Sequence, residues 1–279
     1  MASTQMRNAL KSAAGALGVL TGAYASYVGM TWLRYGHPAP AGADDVDPLL
    51  DQFMPVCEVA ERHHIRIAAP AEVTFAAACE QDLMALPVAR AIFKAREVLL
   101  GSQPAKGTAL DISSEPSAGC QSLLARFARL GPLCGSRRVR NSRNEPHSGP
   151  DSAAHPRGLL ALTKSLGWGV LAEVPGREVV MGAVTQPWKA NVVFRSLPPH
   201  EFAAFDEPDY VKIVWTLRAD PIGADASIFR TETRAVATDS TARAKFRRYW
   251  SFLSPGIILI RWASLNPLRA DAERRRRPA

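Results

Sequence analysis

Four charged residues near the end of the chain have the types and spacing to form one charge network. Glu232 and Arg234 lie two residues apart in an alternating, β-branched segment, so both side chains point to one face of a strand. Arg243 and Arg247 lie four residues apart in the amphipathic segment that follows, so they share one face of a helix. An arginine fork binds a carboxylate or polarises a carbonyl group. We expect these residues either to hold the polar end of a ligand or to form salt bridges that clamp strand to helix.

Aromatic residues accompany these charges at positions where they would line a cavity or fill a core. Phe246, Tyr249 and Trp250 recur at helical spacing on the apolar side of the segment 239–253. Two further tryptophans fall within or beside predicted strands. The predicted ligand-binding residues are therefore Trp188, Trp215, Glu232, Arg234, Arg243, Phe246, Arg247, Tyr249 and Trp250.

The other pairs of ionisable residues are less suited to metal binding or catalysis. His63 and His64 are adjacent on a predicted strand, so they point to opposite faces and cannot chelate one ion. Glu173 and Glu178 flank the Pro175-Gly176 turn, and we expect solvent-facing hairpin charge there. The motifs GxSxG, HExxH, GxxxxGK[ST] and GxGxxG are absent. The sequence predicts no metal site and no cofactor, and it identifies no catalytic residue.

The elements that would position these side chains are strands, with one long helix after the last. Thr238-Asp239 supplies a helix N-cap directly after the last strand, and Ser254-Pro255-Gly256 predicts a break or kink in the helix. The fold class is α+β, with a curved antiparallel sheet of about six strands wrapped on a long C-terminal helix. The predicted strands are 62–67, 168–174, 177–184, 191–195, 210–218 and 228–237.

Length and charge limit the organisation of the chain. Its 279 residues are 47% apolar and 22% charged, which suits one globular domain with additional segments. The net charge is +8, and the residues from Arg243 onward account for all of it. A basic C-terminal tail at 266–279 describes this distribution better than a nucleic-acid-binding surface, so nucleic acid is not an expected partner.

A charge-free run at 13–33 predicts one transmembrane helix near the N-terminus. Gly18 and Gly22 have GxxxG spacing, which would let a second copy approach and form a homodimer. A signal peptide cleaved after Ala23-Tyr24-Ala25 and a soluble helix are the alternatives. The flanking charges do not decide on which side of the membrane the soluble domain would lie.

The predicted organisation has five parts. Residues 1–35 form a membrane anchor, 36–55 a Pro/Gly/Asp linker, 56–265 the folded domain and 266–279 the tail. A disordered insert at about 102–158, rich in Gly, Ser, Pro and Arg, interrupts the domain.

Three segments carry a resemblance to a known superfamily. They are ERHHIRIAAPAEVTFAA at 61–77, GVLAEVPGREVVMGAV at 169–184, and TETRAVATDSTARAKFRRYWSFL at 231–253. In type and order they resemble the START/polyketide-cyclase superfamily (SRPBCC, the helix-grip fold) over residues 56–265. The resemblance implies a pocket for an apolar or amphipathic small molecule. Members of this superfamily range from transfer proteins to cyclases, so fold alone does not choose among them.

The function expected first is a membrane-tethered domain that binds or transfers a lipophilic small molecule in a hydrophobic cavity. A cyclase- or hydratase-like enzyme that uses the same cavity is the second hypothesis. A structural or interaction protein is the third. Two or more ionisable groups that converge in the cavity would favour the enzyme, and an all-apolar lining would favour the binding protein.

Overall fold

The computed structural model describes residues 2–100 and 158–276, which form one antiparallel sheet and several helices. The helices are α1 (Ala2–Arg34), α2 (Pro48–Asp51), α3 (Ala71–Glu80), α4 (Pro87–Leu100), α5 (Leu159–Ser165), α6 (Pro199–Ala204) and α7 (Ser240–Arg275). The strands are β1 (Val59–Ile67), β2 (Gly169–Val174), β3 (Glu178–Thr185), β4 (Phe194–Arg195), β5 (Val211–Pro221) and β6 (Ser227–Ala237).

The sheet places the first strand of the chain beside the last. Its order is β1-β6-β5-β3-β2, with β4 paired to β3 and all neighbours antiparallel. The pairing of β1 with β6 runs from Val59 opposite Ala235 to Ile67 opposite Ser227. Each of the six predicted strands overlaps an observed one. The α+β class, the six-stranded antiparallel sheet and the long C-terminal helix are therefore confirmed.

One face of the sheet, which we call the helix face, is covered by α3 and α7. Odd-numbered residues of β1, β3, β5 and β6 point to it because side chains alternate along a strand. Phe75 of α3 and Leu268 of α7 pack there against Met181 and Trp215. This is the larger part of the core, and α7 closes it.

The opposite face, which we call the outer face, is covered by α2 and α6. Leu50, Met54 and Phe202 pack there against even-numbered residues such as Val180 and Val214. Leu50 is fully buried and Met54 is 2% exposed. The end of the predicted linker 36–55 is thus part of the packed fold. Burial of its apolar residues holds α2 on the sheet, which a solvated linker would lack.

Helix α7 begins where the sequence predicts, with the Asp239 side chain accepting a hydrogen bond from Ala242 N. Of the break or kink predicted at Pro255, the break is wrong, because α7 continues through Pro255 and Pro267 to Arg275; the kink stays a prediction. An interior proline costs about 3 kcal/mol, and apolar burial on both sides of it offsets that cost. The predicted tail 266–279 therefore includes a helical part, and the buried residues of α7 beyond Pro255 are Ile260, Leu265, Leu268 and Ala272.

Helix α1 contacts α7 next to Pro255. Tyr24 Oη donates to Phe252 O at 2.7 Å, and the hydroxyls of Tyr27 and Ser254 are 3.0 Å apart. Because proline has no backbone N–H, Pro255 leaves a carbonyl group of the preceding turn without its usual hydrogen-bond donor. The α1 tyrosines supply hydroxyl groups at that point.

Within the described ranges, no helix combines the length and the apolar character needed to cross a bilayer. The predicted single-pass anchor at 13–33 is therefore not supported. The run lacks charges, but glycine, alanine, serine, threonine and tyrosine occupy most of it. Gly18 and Gly22 have open space beside them, and a homodimer through them stays a prediction. Apart from Gly158, the predicted insert at about 102–158 lies outside the described residues.

Candidate functional site

The sheet separates the charged residues that the sequence analysis grouped together. Glu232 and Arg234 are even-numbered residues of β6 and point to the outer face. Arg243 and Arg247 lie on α7, which covers the helix face. The predicted constellation of all four side chains is therefore not formed.

Glu232 and Arg234 form a buried ion-pair network under α2. Arg234 Nε is 2.7 Å from Glu232 Oε1, and Arg234 Nη1 is 2.5 Å from Asp51 Oδ1 and donates to Met54 O at 2.8 Å. Arg62 Nη2 reaches Glu232 Oε1 at 2.9 Å. This network fixes α2 on the sheet, so these two predicted ligand-binding residues act as a salt-bridge clamp, but to α2 and not to α7.

The predicted aromatic wall is packed into two separate clusters. Phe246 and Trp250 are 1% and 6% exposed, and the Phe246 ring lies 6.0 Å from both Tyr35 and Trp250. The partly buried Tyr249 and Trp188 pack against that cluster. Trp215 belongs to the other cluster, where it meets Trp168 edge to face at 6.1 Å. These aromatic residues fill the core around the first half of α7 and under β5.

Arg243 and Arg247 line an open pocket between the end of α1 and the start of α7. It has a volume of about 330 Å³, and we call it the junction pocket. Arg243 Nε pairs with Glu58 Oε1 at 3.0 Å. Arg247 donates to Trp32 O through Nε at 3.0 Å and Nη2 at 2.7 Å. The other lining residues are Leu33, Tyr35, His37, Ser240 and Ala244.

A second group of polar residues, which the sequence analysis did not assemble, lies on the helix face. In the β1–β6 register Glu61 is opposite Thr233, and His63 is opposite Thr231. Arg261 comes from α7 above them and donates from Nη1 to Thr231 Oγ1 at 2.6 Å. We call these five residues the interior polar patch.

Two atoms of this patch are buried and lack partners. His63 is 8% exposed, and its ring meets the Trp262 ring edge to face at 6.2 Å. Within the described part of the chain, no hydrogen-bonding group reaches His63 Nε2 or Thr233 Oγ1. A buried polar atom without a partner costs about 1–3 kcal/mol. A molecule that entered the patch would gain a hydrogen bond at either atom.

The charges of the patch are set by burial. Burial, reinforced by the Arg261 charge, lowers the pKa of His63 to about 4, so its imidazole is neutral at pH 7. Burial also lowers the pKa of Arg261 to about 10, while Glu61 opposes that shift, so the guanidinium stays charged. The pKa of Glu61 is raised by burial, against the attraction of Arg261 and Arg62. The patch thus combines one cation, one neutral imidazole and one carboxyl group.

The residues that surround the patch lie at the edge of the sheet. Strand β1 is an edge strand, Glu61 and Arg261 are partly exposed, and Trp262 is 63% exposed. An arginine has five N–H donors, and Thr231 uses one of those of Arg261. The arrangement can bind a carboxylate or a carbonyl oxygen beside an apolar tryptophan, and it can exchange protons through His63 or Glu61.

A sequence signal for this patch existed, but it is incomplete. Thr231 and Thr233 alternate with Glu232 and Arg234 and so define the opposite face of β6. Arg261 is the one charge in the segment IILIRWASL. What the sequence does not contain is the register that places His63 opposite Thr231, because more than half of the chain separates them.

Comparison with known proteins adds no assignment: the chain matches no protein-family model, no curated protein and no solved structure.

Proposed function

We propose that this chain is a helix-grip domain of the SRPBCC kind that binds a lipophilic small molecule, whose polar end lies at the interior polar patch. The observation that carries the proposal is the pair of buried, unpartnered atoms His63 Nε2 and Thr233 Oγ1 beside the charged Arg261. The pairing of the first strand with the last, and the helix that closes the sheet after it, support the relationship to that superfamily.

A ligand with a carboxylate or carbonyl group suits these atoms. Its oxygen would accept hydrogen bonds from Arg261, in a geometry that an arginine fork favours. A second polar group on the ligand would reach His63 or Thr233 and remove the cost of leaving them unpartnered. Its apolar part would lie against Trp262 and Ile65, which flank the patch on α7 and β1. Arg243 and Arg247 have no part in this site.

The test measures binding by the full-length chain. Native mass spectrometry of the gently purified protein should show a co-purifying small molecule. Added dodecanoate should raise the melting temperature, because a ligand that binds only the native state stabilises it by mass action. Dodecanol, which lacks the charge, should raise it less. A panel of fatty acids, sterols and aromatic polyketides extends the search.

Variants locate the binding. Arg261→Gln and Thr233→Val should each reduce the thermal shift, while Arg248→Gln, an exposed arginine on the same helix, should leave it unchanged. Circular dichroism and the melting temperature without ligand check that each variant folds. If Arg261→Gln and Thr233→Val both keep the full shift, the ligand binds outside the interior polar patch and the site assignment is wrong. If no panel member shifts the melting temperature, the binding function is wrong. The structural or interaction protein then becomes the leading hypothesis.

An enzyme is the second candidate: the patch meets the criterion of converging ionisable groups, but the sequence carries none of the catalytic motifs GxSxG or HExxH. Glu61, His63 and Arg261 are three ionisable groups that converge on the helix face, which is the arrangement that a cyclase- or hydratase-like reaction needs for acid–base chemistry and oxyanion stabilisation. His63→Gln should then abolish turnover of a carbonyl substrate that Arg261 still binds. If every bound compound is recovered unchanged, the enzymatic candidate is excluded for that panel.

A further inference from the structure

We propose that the junction pocket binds the phosphate headgroup of an anionic lipid, so that the chain docks on a bilayer surface with α1 against it. This site uses different residues from the interior polar patch and does not depend on the function proposed there. The ligand class is a phosphate monoanion attached to apolar chains. The argument rests on the geometry of two arginines and on the exposed apolar residues of α1.

Arg243 is held in place by a glycine and a carboxylate. Its Nε pairs with Glu58 at 3.0 Å, while 53% of the side chain is exposed. Its Nη2 lies over Gly36, where a Cβ would come within 2.7 Å of it. Gly36 also has φ of +82°, which favours glycine. The backbone therefore makes room for this guanidinium, and among the described residues no acceptor is bonded to its two terminal amino groups.

Arg247 is fixed on the other side of the pocket by the end of α1. Its guanidinium lies over the Trp32 ring at 4.3 Å and donates twice to Trp32 O. Glu58 offsets part of the Arg243 charge, and Arg34 adds a positive charge between the lining residues Leu33 and Tyr35. Two fixed guanidinium groups with one partly shared carboxylate leave a net positive pocket, which suits a phosphate.

Exposed apolar residues occur at the pocket and in the middle of α1. Leu33 lines the pocket and is 73% exposed. Further along α1, Leu17, Val19 and Leu20 are 66%, 72% and 67% exposed. Exposed apolar side chains next to arginines and a tryptophan can enter the interfacial region of a bilayer. A phosphate held by the arginines would direct its acyl chains along Leu33 and α1, which favours a lipid over free phosphate.

The experiment is co-sedimentation of the full-length chain with vesicles. Vesicles of equal parts phosphatidylcholine and phosphatidylglycerol should bind the protein, pure phosphatidylcholine should bind it less, and added salt should weaken binding. Arg243→Gln/Arg247→Gln should weaken binding to the anionic vesicles by about tenfold or more. The control Lys164→Gln/Arg177→Gln removes the same charge from exposed positions outside the pocket and should change binding little. Melting curves show that both double variants fold.

A second measurement separates a lipid from a free anion. Inorganic phosphate, exchanged for chloride at equal ionic strength, should protect the wild type against heating less than the anionic vesicles do. If phosphate protects the wild type fully and the vesicles do not bind, the bilayer assignment is wrong. If Arg243→Gln/Arg247→Gln binds anionic vesicles as tightly as the control does, the headgroup site is wrong. Loss of dodecanoate binding in Arg261→Gln would affect neither result.

Discussion

His63 and Trp262 meet edge to face across the boundary between β1 and α7, with ring centroids 6.2 Å apart and planes at 81°. The contact closes the interior polar patch on one side. It also removes water from an imidazole that no described residue bonds at Nε2. Protonation of His63 would place a second cation beside Arg261.

We expect the patch to make the fold sensitive to acid. The pKa of His63 is lowered by burial from 6.5 to about 4, so the unfolded chain binds this proton more tightly than the folded one. The stabilisation is fully present above pH 6.5 and is lost as the pH falls towards 4, by up to about 3 kcal/mol. Denaturant unfolding of His63→Gln should lack this decrease, and the exposed His64→Gln should retain it. Equal acid sensitivity in both variants would contradict the burial of His63.

We expect Glu178 to give the unfolding free energy the opposite dependence on pH, at higher pH values. Burial and the neighbouring Asp47 carboxylate raise the pKa of Glu178 from 4.5 to about 8. The folded state therefore binds this proton more tightly, and its contribution to stability is lost as the pH rises from 4.5 through 8. Glu178→Gln should flatten the unfolding free energy over this interval, whereas the exposed Glu173→Gln should not. A wild type equally stable at pH 5 and pH 9 would show that this carboxyl group is not buried as described.

The first half of α7 should be a structural part of the core. Phe246 is 1% exposed between Tyr35 and Trp250, so Phe246→Ala should lower the unfolding free energy by about 3–5 kcal/mol. Lys245 is 42% exposed in its pair with Asp209, and Lys245→Ala should cost less than about 1 kcal/mol. Denaturant titration measures both. Similar losses at the two positions would mean that α7 presents a different face to the sheet.

Arg234 should be required for stability and not for ligand binding. It is 4% exposed and connects Glu232, Asp51 and the carbonyl of Met54. Arg234→Gln should cost about 3 kcal/mol, at the low end for a broken buried pair because Glu232 keeps Arg62. Arg274→Gln removes an exposed pair with Asp271 and should change stability by less than about 0.5 kcal/mol. Loss of dodecanoate binding by Arg234→Gln with unchanged stability would reverse this assignment.

The fold was predictable from local patterns, and the composition of the interior polar patch was not. Six strands and the start of α7 follow from alternation and from the Asp239 cap, which depend on neighbouring residues. The positions of Glu232 and Arg234 were predicted to lie on one face of β6, which is correct. The identity of that face depends on Asp51 and Met54, which are far away in the chain and meet Arg234 only after folding.

The structure also differs from the sequence-based expectation at two residues, Glu178 and Pro255, where packing against distant parts of the chain decides the local structure. Glu178 flanks a hairpin turn and was expected to face solvent, but it is 7% exposed because β3 is covered on both faces. Pro255 was expected to break or kink α7, but the helix is not broken, and buried residues lie on both sides of the proline. Neither effect is visible from neighbouring residues alone.

The pairing of β1 with β6 has a consequence for how the chain folds during synthesis. The ribosome adds about 5–20 residues per second, so β1 emerges on the order of ten seconds before β6, its partner in the described sheet. During that interval His63 and the other residues of β1 have no neighbour, and the segment between the two strands must be made in full. Contacts so distant in sequence close slowly. A nascent chain stalled before Ser227 should therefore be sensitive to protease and bind chaperones, and release of a few tens of further residues should protect the entire sheet at once.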